Sequence, residues 1–542
     1  MACIEKLRIK NYKCFEDFEI IFNDNLNIIV GNNEEGKSTI LEAIHLVITG
    51  LLNGKPLYTD FSASLFNLTA TKNYIESLSS SQIQPLPMIL IEAYLKGDGL
   101  AVFEGDGNLH KTKNIGIALK ISFDDKYQDE YQELIEQGEI KTIPIEYYKF
   151  ERYSFARAAI TNKSIPLTTA IIDSSSPKYQ NGSDIYISKI IKDSLEANEL
   201  VALAQSYRKL KENFGDDSVI QSINSKISIG SDISNRQVRI SVDTSMKSSW
   251  ETILMTFIDD IPFHQIGKGE QCFIKTNLAL ANQKTQSSNI ILIEEPENHL
   301  SHTKLNQLLD GIIKKCTGKQ LIITTHSNFV ANKLDLSNLI LLSSKRVIRF
   351  NDLQKEDTQY FQKLPGFDTL RLILSKSTLL VEGPSDELIV QRAYLDKYGC
   401  LPIQDGIDVI SVRGLSFKRF LEIAKRLKTK VVVITDNDGD FEHKISQKYK
   451  EYDSIESINI CADNRDHLKT LEPQFVDANY ENLSTLRSIL DINPEDYPTE
   501  ADIVKYMTNN KSDWALKVFE SQSPLSYPDY ITKAIEWIHE GE

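Results

Sequence analysis

The segment Gly31-Asn32-Asn33-Glu34-Glu35-Gly36-Lys37-Ser38 has the spacing G-x-x-x-x-G-K-S. Two glycines so placed let a loop close tightly, so that its N–H groups and a following helix start face anionic phosphates. Lys37 then sets a positive charge near the β- and γ-phosphates of a nucleotide, and Ser38 offers an oxygen to Mg2+. Gly31, Asn33, Gly36, Lys37, Ser38 and Thr39 are the expected nucleotide-binding residues, with ATP as ligand.

Farther along, Asn289–Pro296 reads NIILIEEP. Four apolar residues end on Glu294 and Glu295. A buried strand that delivers two carboxylates suits Mg2+ binding and activation of a water for attack on a γ-phosphate. Glu294 is assigned to the magnesium and Glu295 to the water. The next apolar strand, Leu321–Thr325, runs into His326, which is placed to sense the γ-phosphate.

A second set of acids sits in the last third. Leu379-Leu380-Val381 is an expected strand that ends on Glu382, turns through Gly383-Pro384 and supplies Asp386. Val431–Ile434 is another, followed by Thr435-Asp436-Asn437-Asp438-Gly439-Asp440. In a parallel sheet both tips open on one edge, where ligands bind, which gathers Glu382, Asp386, Asp436 and Asp438. Carboxylates that close cannot all ionise without cations. Two hard divalent ions, Mg2+ or Mn2+, neutralise them. Such a pair, about 4 Å apart, activates a water and stabilises the leaving oxygen of a phosphodiester. The bland alternative is a surface turn or an isolated Ca2+ loop, without the helices and twelfth-position Glu of an EF-hand. Between Arg413 and Lys430, seven basic residues stand against one acid, Glu422. A solvated helix face and phosphate positioning explain that run about equally well.

These residues need particular elements behind them. The first thirty residues read as strands, with Leu7 and Ile9, then Phe18, Ile20 and Phe22 alternating, before the apolar run Leu26–Val30. A helix is expected from Ser38 to Val47, loop with short helix over 60–85, and a strand over Met88–Leu95. The stretch Asp184–Phe214 is helical in pattern and carries no nucleotide or metal motif. The expected layout is an ATPase first part (1–150), a helical insertion (151–250), an ATPase second part (251–368) and a nuclease domain (369–542). Apolar strands at Leu379–Val381, Ile407–Val412 and Val431–Thr435, separated by helical segments, argue for a parallel sheet covered by helices. The fold class is α/β throughout.

Composition bounds the rest. At about 150 residues per domain, 542 residues allow three or four units. With 41% hydrophobic and 25% charged residues the chain is ordinary globular protein. No uncharged run approaches the roughly 20 apolar residues of a membrane helix. The N-terminus carries charges at Glu5, Lys6, Arg8 and Lys10 in place of a signal-peptide core. Six scattered cysteines without C-x-x-C argue against a zinc or disulfide framework and fit a reducing cytoplasm. A net charge of −15 means that any nucleic-acid contact is local and basic, supplemented by metal ions.

Between loop and carboxylates lies Gly267-Lys268-Gly269-Glu270-Gln271, opening a helix over Phe273–Leu280. This resembles a divergent signature motif of ABC-type ATPases, and with the motif order and the opening "IEKLRIKNYKCFEDFEI" the first part is similar to ATPases of the SMC and RecF type. The resemblance implies that Gly269 touches a nucleotide held by a second copy. Glu294 stands where that group usually has Asp, and the signature lacks its Ser; the extra methylene points to slow or regulated hydrolysis. The insertion is too short for the long coiled coil of SMC proteins. A strand-tip Glu followed by D-x-D resembles the Toprim domain. An ABC-type ATPase followed by Toprim resembles the OLD (overcoming lysogenization defect) nucleases, including Gabija-type and retron-associated antiphage nucleases. By that resemblance Glu472 is a further metal ligand and Lys511 stabilises developing phosphate charge. It also implies antiviral defence, a dimer or tetramer with the insertion as dimerisation element, and a partner, either an accessory helicase or a retron reverse transcriptase with its DNA.

The leading expectation is therefore an ATP-regulated, metal-dependent DNA endonuclease with no membrane partner. The alternative is an ATP-driven, nucleic-acid-binding scaffold whose Toprim site does not cut. A topoisomerase needs a nucleophilic tyrosine that 22 Tyr do not single out, and a primase a zinc module that the cysteines do not supply.

Overall fold

In the computed structural model, residues 2–173, 179–180, 183–229, 240–242, 255–349, 371–372, 375–412 and 417–540 are described, apart from 81, 139, 163, 335 and 344. They form two compact units, Met1–Val330 and Ala331–Glu542. The expected connector over 352–367 lies outside the described residues.

Among the described residues the first unit has two large sheets and three two-stranded ones. One large sheet is antiparallel, built from β1 (Cys3–Tyr12), β2 (Phe15–Ile21), β4 (Ile89–Lys96), β5 (Asn114–Phe123) and β6 (Tyr148–Ser154), in the order β2-β1-β4-β5-β6. The other holds β3 (Leu26–Gly31), β7 (Thr169–Asp173), β8 (Ile290–Glu294) and β9 (Gln320–Thr325), side by side as β7-β8-β9-β3 and all parallel. The middle strands are continuous apolar runs because both faces are covered; Ile290, Ile291, Leu292, Ile322 and Ile323 are fully buried. Helix α1 (Lys37–Thr49) follows β3, buries Ile40, Leu41, Ile44 and Val47, and stops at left-handed Gly50.

Residues 151–154 and 169–173, read from sequence as part of a helical insertion, are strand: they lie in β6 and β7, which belong to the two large sheets. Short apolar runs do not distinguish strand from helix by periodicity, and Thr169–Asp173 becomes a strand because it pairs with β8. The helices begin later, at Ile185–Ser194, Ala197–Asp216 and Ser218–Ile229. Val201, Leu210, Phe214 and Val219 are exposed on the last two.

The second unit contains an antiparallel hairpin, Leu339–Ser343 with Arg346–Arg349, and a four-stranded parallel sheet. Its strands are β10 (Ser377–Val381), β11 (Ile407–Ser411), β12 (Lys430–Ile434) and β13 (Ile458–Cys461), ordered β11-β10-β12-β13. Helix α3 (Pro384–Tyr398) follows β10 and α4 (Phe417–Leu427) follows β11, with α5 (Leu471–Ala478), α6 (Lys511–Glu520) and α7 (Asp529–His539) after the last strand. Leu379, Val432, Phe475 and Trp514 share one core. Among the described residues, no helix is long and apolar enough to cross a membrane, and the six cysteines are free.

Candidate active sites

The phosphate loop joins β3 to α1. Gly36 adopts φ 95°, and a Cβ there would stand 2.5 Å from the Phe15 ring and 2.6 Å from Cys14 Sγ. Only glycine meets both demands. No side chain caps the start of α1, so its N–H groups face outward as an anion site. Lys37 is buried and donates to the carbonyls of Gly31 (2.8 Å) and Asn32 (3.0 Å). Burial lowers its ammonium's pKa, against Glu295 and other acids. Asn33 is exposed in the loop, and Thr39 Oγ1 accepts from Cys14 Sγ at 3.7 Å.

Register brings the carboxylates to this loop. Asp173 pairs with Glu294, Glu294 with Thr324, and Thr325 with Val30, so four strand tips end together. Ser38 Oγ donates to Glu294 Oε1. Burial raises the Glu294 carboxyl pKa above its ordinary value, helped by Asp173, Glu295 and Glu42 and opposed by the Ser38 hydrogen bond. Glu295 turns off the strand at φ 39°, a region rare for residues with side chains. Its Oε1 lies 4.0 Å from Lys37 Nζ and 3.5 Å from His326 Nδ1, while Asn298 Nδ2 donates to Oε2 at 3.1 Å. Glu297 Oε1 accepts from the His326 N–H (3.0 Å) and Thr325 Oγ1 (2.5 Å). Asp173 and Glu297 were not among the sequence-assigned site residues. An apolar run ending on an acid, Ala170-Ile171-Ile172-Asp173, is the signal that could have found the first.

Gly269 lies near the start of α2 (Lys268–Ala281), and a Cβ there would collide with the His299 carbonyl. The glycine thus lets the helix approach the turn that follows Glu295 within the same chain.

In the second unit, β10 and β12 are neighbours with Val381 opposite Ile434, so Glu382 and Asp436 leave the same edge. Glu382 Oε1 accepts from Thr435 Oγ1 (2.5 Å) and from the Asp436 N–H (3.0 Å). Asp386, in the first turn of α3, accepts from the Gly383 N–H at 3.1 Å. Asn437 is fully buried and donates to the carbonyls of Asp463 (2.9 Å) and Arg465 (3.0 Å), which fixes the loop and leaves Asp438 exposed at φ 52°. Lys444 Nζ is 3.8 Å from Asp438 Oδ2. Glu472 is buried and accepts from Thr470 Oγ1 at 2.8 Å.

These acids repel one another. Lost hydration, then Glu382, pushes Asp386 up to about 7. Lost hydration, then Asp386, Glu382, Glu472 and Asp438, pushes Asp436 up to about 9. Asp436 Oδ1 is buried with no hydrogen-bond partner. Oxygen-only donors, mutual repulsion and an orphaned carboxylate oxygen fit hard divalent cations. Among the described residues, however, no three His, Cys, Asp or Glu side chains converge tightly enough to hold an ion as they stand. Glu382, Asp386 and Glu472 are each turned onto a local donor.

Lys511 opens α6, with its side chain exposed and its carbonyl accepting from Ser385 Oγ at 2.7 Å, next to Asp386. The basic run divides. Lys418 pairs with Glu451 at 2.7 Å, and Lys430 donates to the carbonyls of Trp537 (2.5 Å) and Ile538 (3.1 Å), capping α7. Lys418 thus lies on a helix face, as the bland reading has it, whereas Lys430 opens strand β12 and is tied up by α7, which neither reading of the run anticipated. Arg413 and the side chain of Arg426 lie outside the described residues.

A phosphate loop beside acid-tipped parallel strands defines a P-loop ATPase unit, and an acid-tipped parallel sheet follows it. The AAA ATPase domain family (AAA_15) matches residues 3–331, and the chain belongs to that family. The OLD-like TOPRIM domain (overcoming lysogenization defect protein-like) matches residues 373–438. The chain is 21% identical over 467 residues to the endonuclease GajA of Bacillus cereus strain VD045, covering 80% of this chain and 74% of that one. It is 43% identical over 44 residues to the DNA replication and repair protein RecF of Oceanobacillus iheyensis, spanning 8% of this chain and only 12% of that relative's length. The C-terminal region of the Xanthomonas campestris pv. campestris OLD protein aligns with 31% of this chain and 95% of its own, at 22% identity and a TM-score of 0.24.

Proposed function

We propose that the chain is an ATP-regulated, divalent-metal-dependent DNA endonuclease acting in antiphage defence. The observation that carries this reading is the orphaned, buried Asp436 Oδ1, whose carboxyl pKa is pushed up to about 9 by lost hydration and then by Asp386, Glu382 and Glu472. Glu382, Asp386, Asp436, Asp438 and Glu472 would hold two ions, Mg2+ or Mn2+. Bound divalent ions supply an activated water and neutralise charge on the leaving oxygen. The chain's own residues orient this set: Thr435 and the Asp436 N–H fix Glu382, Asn437 fixes the loop, and Lys511, whose carbonyl is held beside the first turn of α3, would stabilise the developing phosphate charge.

In the ATPase unit, Gly31, Asn33, Gly36, Lys37, Ser38 and Thr39 bind ATP. Ser38 and Glu294, already hydrogen-bonded, hold its magnesium. Glu295, between Lys37 and His326, positions the attacking water, and His326 reads the γ-phosphate. Gly269 meets the nucleotide of a second copy. The exposed apolar residues of the insertion helices support a homodimer or tetramer. DNA is the substrate, and the defence partner is an accessory helicase or a retron reverse transcriptase with its DNA. The proposed layout is ATPase (1–173 and 251–368), dimerisation helices (within 185–229) and Toprim nuclease (369–542), in the cytoplasm.

The test is incubation of the full chain with supercoiled plasmid and with single-stranded DNA, varying Mg2+, Mn2+ and ATP. Metal-dependent nicking that Glu382→Ala abolishes is expected. Cutting by Glu382→Ala equal to wild type overturns the site assignment. DNA binding without cutting under every condition leaves an ATP-driven scaffold as the better description.

A further inference from the structure

The loop that leaves β13 returns to the loop that carries Asp438. Its Lys469 carbonyl accepts the Asp438 N–H at 3.2 Å. The next residue, Thr470, holds Glu472. Lys469 therefore stands between two of the proposed metal ligands. Its stem lies along Gly439: a Cβ built there would be 3.1–3.3 Å from Lys469 Cε, Cδ and Cγ. Gly439 also adopts φ 80°, so the backbone conformation and the lysine stem both exclude a side chain.

Lys469 is exposed, and among the described residues its ammonium pairs with no carboxylate. Its neighbours behave differently. Lys444 is drawn to Asp438, Lys418 to Glu451, and Arg465 to Asp463 and Asp477. A lysine serving only to offset the acids would pair with one of them, as Lys444 does. Lys469 is instead held by backbone and stem beside Asp438 and is exposed to solvent.

We propose that Lys469 is a phosphate-positioning residue that engages a backbone phosphate of the nucleic-acid strand entering this site. The assignment rests on the nuclease reading and deepens it. A positive point charge on the rim attracts the polyanion that the site's own carboxylates repel, and it sets the strand's register without reading bases. The residue contributes to binding and leaves the chemistry to the acids behind it.

The experiment uses full-length Lys469→Met, which keeps the stem against Gly439 and removes the charge, together with Lys469→Gln and Lys469→Arg. Binding of labelled duplex and single-stranded oligonucleotides is measured in Ca2+ across a salt series, and plasmid nicking in Mn2+. One lost phosphate contact flattens the slope of log K against log salt by about 0.9 on duplex or about 0.7 on single strands. Both neutral variants are expected to show that change and a KM raised about 10-fold, with kcat within threefold of wild type and Lys469→Arg restoring both. A wild-type salt slope and KM in the neutral variants overturn the assignment. So does an equal loss of kcat in all three variants with the slope unchanged, which marks a lysine that merely covers Gly439. If the slope flattens as expected but wild type never cuts DNA, the lysine assignment stands and the nuclease reading falls.

Discussion

Glu382 Oε1 accepts the backbone N–H of Asp436 at 3.0 Å, linking the tips of two neighbouring parallel strands. One carboxylate thus sets the position of the next, and Thr435 Oγ1 completes the hold on Glu382. Glu382→Gln is expected to lower nicking by about 10²-fold or more, the scale of a misplaced reacting geometry. Thr435→Val removes only the supporting donor and should weaken Mn2+ affinity by about 10-fold, with Thr435→Ser restoring it. Metal titrations followed by nicking rates separate the two effects, and an unchanged affinity in Thr435→Val would refute the supporting role.

Lys37 satisfies the Gly31 and Asn32 carbonyls from a buried position. Lys37→Ala should abolish measurable binding of a fluorescent ATP analogue while DNA binding persists. Gly36→Ala meets both a left-handed φ, worth about 1–2 kcal/mol, and the Phe15 ring. It should destabilise the chain by at least about 2 kcal/mol in urea unfolding; stability equal to wild type would show that the loop relaxes freely.

Gly269 approaches the His299 carbonyl within one chain. Gly269→Ala forces apart the helix start and the turn beyond Glu295. ATP hydrolysis should fall by about 10²-fold, with Lys37-dependent ATP binding retained. Normal hydrolysis in this variant would remove the link between the two segments.

Asp463 is buried and accepts from the exposed Arg465 guanidinium. Burial alone would raise its carboxyl, but the Arg465 hydrogen bonds win and hold it below the ordinary value. A depressed folded-state pKa gives stability that is present above the unfolded value of about 3.9 and lost as pH falls through the folded one. Asp463→Asn should therefore cost about 1 kcal/mol, constant from pH 5 to 8, because Arg465 is partly solvent-screened. The gap to wild type should close below about pH 4 in thermal unfolding; a gap that persists in acid would contradict the ion-pair account.

Sequence alone determined the parts whose signal is local. Gly36-Lys37-Ser38 after an apolar run, Glu294-Glu295 at the end of Ile290–Ile293, and Glu382 and Asp436 each after a run of apolar residues are legible because a buried parallel strand must be continuously apolar and must stop where its charge begins. Tertiary structure decided what depends on which strands are neighbours. Asp173 joins Glu294 only because β7 pairs with β8, which turned an expected helical segment into sheet. Lys430, an apparent phosphate contact in a basic run, caps a helix 107 residues away. Lys469 gains its place only because its loop folds back over Gly439. Strand pairing and loop return are long-range events, and one-dimensional spacing carries no record of them.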